Sequence, residues 1–284
     1  MIPNLKYLNL SKKFWANVRT IGQYIGYTER KTNRIKIPSI EEIINTYRHL
    51  NFDYSHIINN RNEITNLGMT LFNYFNYRAE VLNGYVESRL MDVQRAEKVF
   101  NKIYNQFKPK CPIPMNKQKG EKKSPAYLTG IVNMIIEKYS QGFPCDFDPN
   151  KLTTITRNRQ PLRTLARRID GAFPDSINPI SVWEIKEYYY TTTFGSRVAD
   201  GVYESLLDGM ELEELKENEN IDVKHYLFVD SHYTWWECGR SYLCRIIDML
   251  HMQYLDEALF GYEVIERLPS IVKEWISIIG NRNK

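Results

Sequence analysis

Two carboxylates and a lysine stand close together in the segment RRIDGAFPDSINPISVWEIKEYYY: Asp170 on one strand-like run, Glu184 and Lys186 on the next. Carboxylates side by side repel, so both ionise comfortably only with a cation between them. A hard divalent ion such as Mg²⁺, or Mn²⁺ in its place, suits the pair and completes its shell with water and a substrate phosphate oxygen. Such an ion polarises a phosphate and lowers the pKa of a bound water. An adjacent ammonium positions that water or stabilises charge growing on the phosphate. The chemistry these residue types point to is phosphodiester hydrolysis.

That chemistry needs the three side chains on one face. The residues PDSINP are turn formers between two strand-like runs, which predicts an antiparallel hairpin centred near Ile177. Residues whose numbers sum to 354 then face one another, so Asp170 opposes Glu184, with Cβ atoms roughly 5 Å apart. Period-two alternation adds Lys186 to their face and sends Ile169, Phe173, Trp183 and Ile185 to the other, apolar one. Glu-x-Lys occurs four times, at Glu29, Glu121, Glu184 and Glu214, but only the third lies on an apolar strand just after an acidic one. Asp175 in Pro174-Asp175 competes for the role of first carboxylate. Opposing it to Glu184 would force the turn onto Asn178-Pro179-Ile180, so the register favours Asp170.

Asp170 in IDGAF with Glu184-Ile185-Lys186 in WEIK resembles the PD-(D/E)xK, or restriction-endonuclease-like, nuclease superfamily. The pattern is an acidic residue on one strand and acid-x-Lys on the next, in an α-β-β-β-α-β core. The resemblance spans roughly Ser124 to Trp236. It implies metal-dependent hydrolysis of DNA, in the manner of a type II restriction enzyme, with Asp170 and Glu184 on the metal. It also implies a further carboxylate on the first core helix, for which Glu137 is the candidate.

The elements that must position these groups follow from pattern. Residues 1–110 read as helical: Ser39 and Glu42 form a capping-box sequence, and apolar steps of three and four run from about Glu63 to Phe107, with Gly68 and Gly84 as candidate breaks. This region is a candidate for target recognition or dimerisation. A Pro- and Lys-rich stretch, 111–123, reads as a basic linker, and 124–284 as the nuclease core. Ser124-Pro125 predicts a helix start, and LTTITRN, RRIDGAF, SVWEIKEYYYTTTF and KHYLFVDSHYTWW predict strands. A helix with Val198, Val202, Leu206 and Met210 on one stripe separates the last two, and the remainder reads as helical. The expected fold is α/β (α+β), a central mixed sheet flanked by helices behind a helical region.

Charge agrees with a polyanionic partner. The chain carries +4 overall, yet Lys108–Asp170 has thirteen basic residues against five acidic, so the rest sums to −4. Lys119, Lys122, Lys123, Arg157, Arg159 and Arg163 are the candidate phosphate contacts, together with Ser196 and Arg197 at a helix start. Four scattered cysteines match neither a disulfide framework nor a zinc pattern, and no apolar run suggests a leader or membrane span. The expectation is a soluble cytoplasmic protein, an endonuclease on double-stranded DNA and, by the symmetry of such sites, a homodimer. A repair, transposition or RNA nuclease, or a non-catalytic nucleic-acid-binding or scaffolding protein on the same fold, stands as the alternative.

Overall fold

The structure is a computed structural model that describes residues 1–29, 32–118, 121–191 and 195–282. Helices α1 (Lys12–Ile25), α2 (Ile40–His49) and α3 (Asn66–Glu80) open the chain. The Ser39–Glu42 capping box is formed, each side chain accepting the other's backbone N–H. Aromatic and aliphatic side chains of the three helices, among them Phe14, Trp15, Ile43, Leu71 and Tyr74, bury one another. α3 continues through a π-helical segment, Val81–Val86, to Arg89. The break before α4 (Val93–Phe107) falls at Leu90–Asp92 rather than at Gly68 or Gly84, because the Asp92 carboxylate accepts the Arg95 N–H at 2.7 Å and starts a new helix.

The segment expected as a linker carries an antiparallel pair, Met115–Gln118 with Glu121–Pro125. Ser124 and Pro125 therefore end a strand instead of opening a helix. α5 (Tyr127–Tyr139) starts after them, and Ala126 at its cap position offers no side-chain acceptor. The missing acceptor comes from elsewhere in the chain: Glu187 takes the Leu128 N–H at 2.7 Å and the Thr129 hydroxyl at 3.0 Å.

A five-stranded mixed sheet forms the core. Its strands are β1 (Asp146–Phe147), β2 (Gly171–Phe173), β3 (Ser181–Glu187), β4 (Lys224–Asp230) and β5 (Glu257–Phe260), in spatial order β5-β4-β3-β2-β1. β3, β4 and β5 are parallel, joined by α6 (Ser196–Glu219) and α7 (Arg240–His251) on one face. β1 and β2 are antiparallel additions at the other edge. The mixed α/β class read from the sequence is the one observed. Two details differ. LTTITRN, expected as the first core strand, forms a separate hairpin, Thr154–Arg157 with Gln160–Thr164, and the two-residue β1 takes its place. The last region, expected as wholly helical, contains β5 before α8 (Glu263–Arg282).

Both faces of the sheet are covered. On one, Phe173, Trp183, Tyr226, Phe228 and Leu259 pack against α5 and α8, with the rings of Trp183 and Trp275 stacked 5.6 Å apart. On the other, Leu227, Val229 and Phe260 meet α7 and the Val198 and Val202 side of α6. Ile169 was expected beside Phe173 and Trp183; it lies instead in the cluster of Ala172, Val182, Leu165 and Leu212, because the chain leaves the strand at Asp170. Met210 is half exposed, whereas Leu212 and Leu215 of the same helix are buried, so the apolar stripe of α6 winds further round than Val198–Met210 implied. No helix among the described residues is long and apolar enough to cross a membrane.

Glycine at 171 is what allows β2 to lie under Trp183. A Cβ there would sit 2.1 Å from the ring, and the ring is wedged against Trp275 with no room to yield. Gly171→Ala is expected to cost about 1–3 kcal/mol or more of folding stability by overpacking. Urea denaturation followed by circular dichroism should show a lowered midpoint at an unchanged slope; an unshifted midpoint would show that the sheet can open at this point.

Candidate active site

The β2–β3 register pairs Gly171 with Trp183, Ala172 with Val182 and Phe173 with Ser181. Continued by one residue, it sets Asp170 against Glu184. Two hydrogen bonds fix that meeting: the Ile185 N–H donates to Asp170 Oδ2 at 2.7 Å, and the Asp170 N–H donates to Glu184 Oε1 at 3.2 Å. The Asp170 carbonyl accepts the Asp148 N–H at 3.0 Å, which ties the same point to the end of β1. Lys186, two residues along β3, places Nζ 2.7 Å from Glu184 Oε2. The sequence thus located all three groups. Asp175 is elsewhere, half exposed in the turn and bonded to Lys151 and the Ile177 N–H.

Sequence reading missed what surrounds them. Arg167, three residues before Asp170, reaches Glu184 Oε1 at 3.0 Å, Asp208 Oδ2 at 2.7 Å and Glu204 Oε2 at 3.3 Å. Lys186 Nζ also meets Glu204 Oε2 at 3.1 Å. Gly201, Glu204, Ser205 and Asp208 occupy one face of α6, at the three- and four-residue spacing of a helix, and that face lies on the sheet above Glu184 and Lys186. Gly201 makes the approach possible, since a Cβ there would come within 3.1 Å of the Lys186 stem. The signal is the run G-x-x-E-S-x-x-D, which lies beside the apolar stripe of the same helix.

Four carboxylates (Asp170, Glu184, Glu204, Asp208) and two cations (Arg167, Lys186) make a cluster of net −2 when all are ionised. Glu184 and Asp208 are fully buried, Lys186 nearly so, Arg167 and Asp170 partly exposed, and Glu204 lies at the surface. Burial works against the Glu184 charge, but Lys186 and Arg167 outweigh it and hold its pKa below the ordinary value. Burial, reinforced by the Glu184 charge, pushes Asp170 up to about 6 and Asp208 up to about 7. Asp208 Oδ1 is a buried oxygen with no hydrogen-bond donor. On the opposite face, burial raises Glu187 to about 7 against the pull of its bonds to α5.

Does this set suit a divalent ion? Among the described residues no group of three or more His, Cys, Asp or Glu side chains is arranged to hold one. Asp170 and Glu184 offer a pair, which matches Mg²⁺, an ion that keeps several waters and takes one or two carboxylates from a protein. The excess negative charge and the raised Asp170 and Asp208 pKa values are what a site short of a cation displays. Both oxygens of Glu184 carry ion pairs as the chain stands, so an ion must displace Arg167 or Lys186 to reach it.

The other expected site residues are not gathered here. Glu137 lies about 14 Å along α5 from Leu128, at 1.5 Å per residue, and caps the Lys110 N–H with both oxygens. Arg157 is paired with Glu219 at 2.8 Å and Arg163 with Glu214 at 2.7 Å, so α6 neutralises two of the expected phosphate contacts. Arg159 is exposed at the hairpin turn with a left-handed backbone, and Ser196 is the exposed first residue of α6. Lys119 lies outside the described residues, as do the side chains of Lys122, Lys123 and Arg197.

A carboxyl whose pKa is raised on folding stabilises the fold below its unfolded pKa and loses that contribution as pH climbs through the folded value. Asp170, Asp208, Glu187 and Asp230, at about 6, 7, 7 and 7, therefore weaken the fold between about pH 4 and pH 8. The lowered groups Asp146 and Asp222 are already ionised across most of that window and add no slope there, whereas His225, His251 and the N-terminal amine, all lowered by burial, work in the opposite direction within it. In EDTA, the Tm of the wild type relative to that of Asp208→Asn should be higher at about pH 5.5 than at about pH 8. Scanning calorimetry of both proteins at the two pH values checks this; a difference that grows with pH would contradict it.

Comparison with known proteins adds kinship without chemistry. A family described as "Domain of unknown function (DUF7687)" matches residues 91–275, and a second, "Domain of unknown function (DUF7690)", matches residues 1–85. No curated protein and no solved structure matches the chain. The first match covers well over half of its length, and the chain belongs to the DUF7687 family.

Proposed function

We propose that this DUF7687-family protein is a Mg²⁺-dependent endonuclease that hydrolyses DNA phosphodiester bonds, a type II-like restriction or phage-defence enzyme acting as a homodimer on double-stranded DNA. The observation that carries the reading is the junction of β2 and β3, where Asp170, Glu184 and Lys186 meet within hydrogen-bonding reach of one another or of each other's backbone. A buried carboxylate costs several kcal/mol unless paired, and Asp170, Glu184 and Asp208 are gathered around Arg167 and Lys186 against that cost. A site for a dication that later meets a polyanion accounts for it.

In this reading Asp170 and Glu184 hold the ion, which supplies polarisation of the scissile phosphate and activation of water. Lys186 is kept protonated by Glu184 and Asp170, which outweigh the effect of burial. It directs the attacking water and meets charge developing on the phosphate. Arg167, a quarter exposed, would be the partner free to turn outward to a phosphate oxygen with Glu184 on the ion. Glu204, at the surface, then becomes the remaining partner of Lys186.

One observation favours a second reading. Each Glu184 oxygen already has a cation, and Arg157 and Arg163 are spent on α6, so the cluster is also intelligible as the internal strut of a nucleic-acid-binding or scaffolding protein. Plasmid DNA incubated with the protein in Mg²⁺ or EDTA separates the two. Glu184→Gln and Lys186→Ala should each slow cleavage by at least about a hundredfold, the scale of losing one electrostatic contact in a transition state. Asp170→Asn, equal in volume, guards against loss through misfolding. Discrete Mg²⁺-dependent fragments that vanish in these variants are the expected result. Unchanged DNA binding with no cutting of unmodified or modified plasmids would hand the case to the strut.

A further inference from the structure

The expected phosphate contacts Arg157 and Arg163 are neutralised, whereas two other arginines, at a different place, are not. Arg245 on α7 and Arg19 on α1 have no carboxylate partner among the described residues. Both line a cavity of about 430 Å³ between α1, α6 and α7, together with Tyr24, Tyr27, Tyr203 and Leu206. Its wall comes half from residues 1–85 and half from residues 91–275, the stretches matched by the two families. Asp248 on the floor brings no net charge, because Arg78 meets it at 2.9 Å and the Tyr74 hydroxyl at 2.6 Å. The cavity therefore carries two uncompensated guanidiniums.

Aromatic rings hold one of them in place. The Arg245 guanidinium lies 4.6 Å from the ring centre of Tyr242, 5.7 Å from Tyr27 and 5.8 Å from Tyr203, and Nη1 donates to the Tyr203 hydroxyl. Tyr27 is positioned by Gly22, where a Cβ would meet its ring at 2.7 Å, so the hydroxyl end of the ring packs against α1. Tyr24 and Tyr203 are about half exposed at the rim, although such rings usually bury. Flat rings at an open mouth, an apolar wall and preset planar donors match one ligand shape: a planar heterocycle joined to a phosphate.

We infer that this cavity binds a single nucleotide unit, its base against Tyr203 and Tyr24 and its phosphate on Arg245 and Arg19. The unit comes either from nucleic acid, unstacked into the pocket, or from the free nucleotide pool; the chemistry of recognition is the same. α6 faces Glu184 and Lys186 with Glu204 and Asp208 and faces the cavity with Val202, Tyr203 and Leu206, so occupancy bears on the helix that also closes the carboxylate cluster.

Binding measured in EDTA, where no cutting occurs, keeps the outcome independent of nuclease activity. The probes are dAMP, dCMP, dGMP and dTMP by isothermal titration, and 30-base-pair duplexes, either fully paired or with one central unpaired nucleotide, by fluorescence anisotropy. Preference for the duplex with the unpaired nucleotide, weakened at least about tenfold by Arg245→Gln and by Tyr203→Ala, identifies nucleic acid as the source. Mononucleotide binding with the same losses, and no preference between duplexes, identifies the free nucleotide. Tyr203→Phe should retain most of the binding in either case, since it keeps the ring. Tyr203 lies at the rim, so its alanine variant reports even if Arg245→Gln disturbs folding. Binding that is absent for all probes, or equal in the wild type and Tyr203→Ala, overturns the inference.

Discussion

A carboxylate with no solvent exposure, set in the middle strand of a five-stranded sheet, must be neutralised where it stands. Glu184 imposes that requirement on everything near it. In a low dielectric its charge persists only with cations in contact, and the chain supplies one from the same strand and one from the loop before β2. Those cations in turn draw Glu204 and Asp208 from α6, and the helix can come close enough only because residue 201 has no side chain. Asp170 enters from the neighbouring strand and is partly neutralised by the crowding. The crossover helix, the loop and two strands are thus fitted to one ionised group.

β3 makes a matching demand on its other face. Glu187 points away from Glu184, into the side covered by α5, and satisfies N–H and hydroxyl groups at that helix's start. Beside it, Asp230 at the end of β4 accepts the N–H groups of Met91 and Ser231. The Met91 bond pins the break between α3 and α4. The first helices are held to the core in a second way, by the buried ion pair of Arg78 with Asp248. The seam between the stretches matched by the two families is therefore polar at its anchors and apolar between them, through Ala79, Leu82 and Val86.

The legible parts were those in which local chemistry decides structure. Turn residues between two runs of alternating apolar side chains set the hairpin register, and with it the meeting of Asp170 and Glu184. The Ser39–Glu42 box was legible for the same reason. What stayed hidden depends on partners distant in sequence. Ser124-Pro125 has the form of a helix start, but pairing with Met115–Asn116 claims it for a strand. Glu257–Phe260 is too short to show a period and becomes a strand only beside β4. Arg167 and Asp208, forty-one residues apart, reveal their roles only once α6 is laid on the sheet.

The alternation of Glu184 and Glu187 to opposite faces of β3 has a consequence for how the chain finds its fold. A slip of β3 by one residue would bring Glu184 beneath α5 and Glu187 beneath α6, each among groups arranged for the other. Leu128 would lose its acceptor, Arg167 would lose its anion, and Lys186, carried round with Glu184, would lose Glu204. Trp183 and Ile185 flank Glu184, and a purely apolar strand could tolerate such a slip with little penalty. The charges forbid it, so they act as keys that select one alignment from the near-equivalent ones, whatever else they do once the sheet is built.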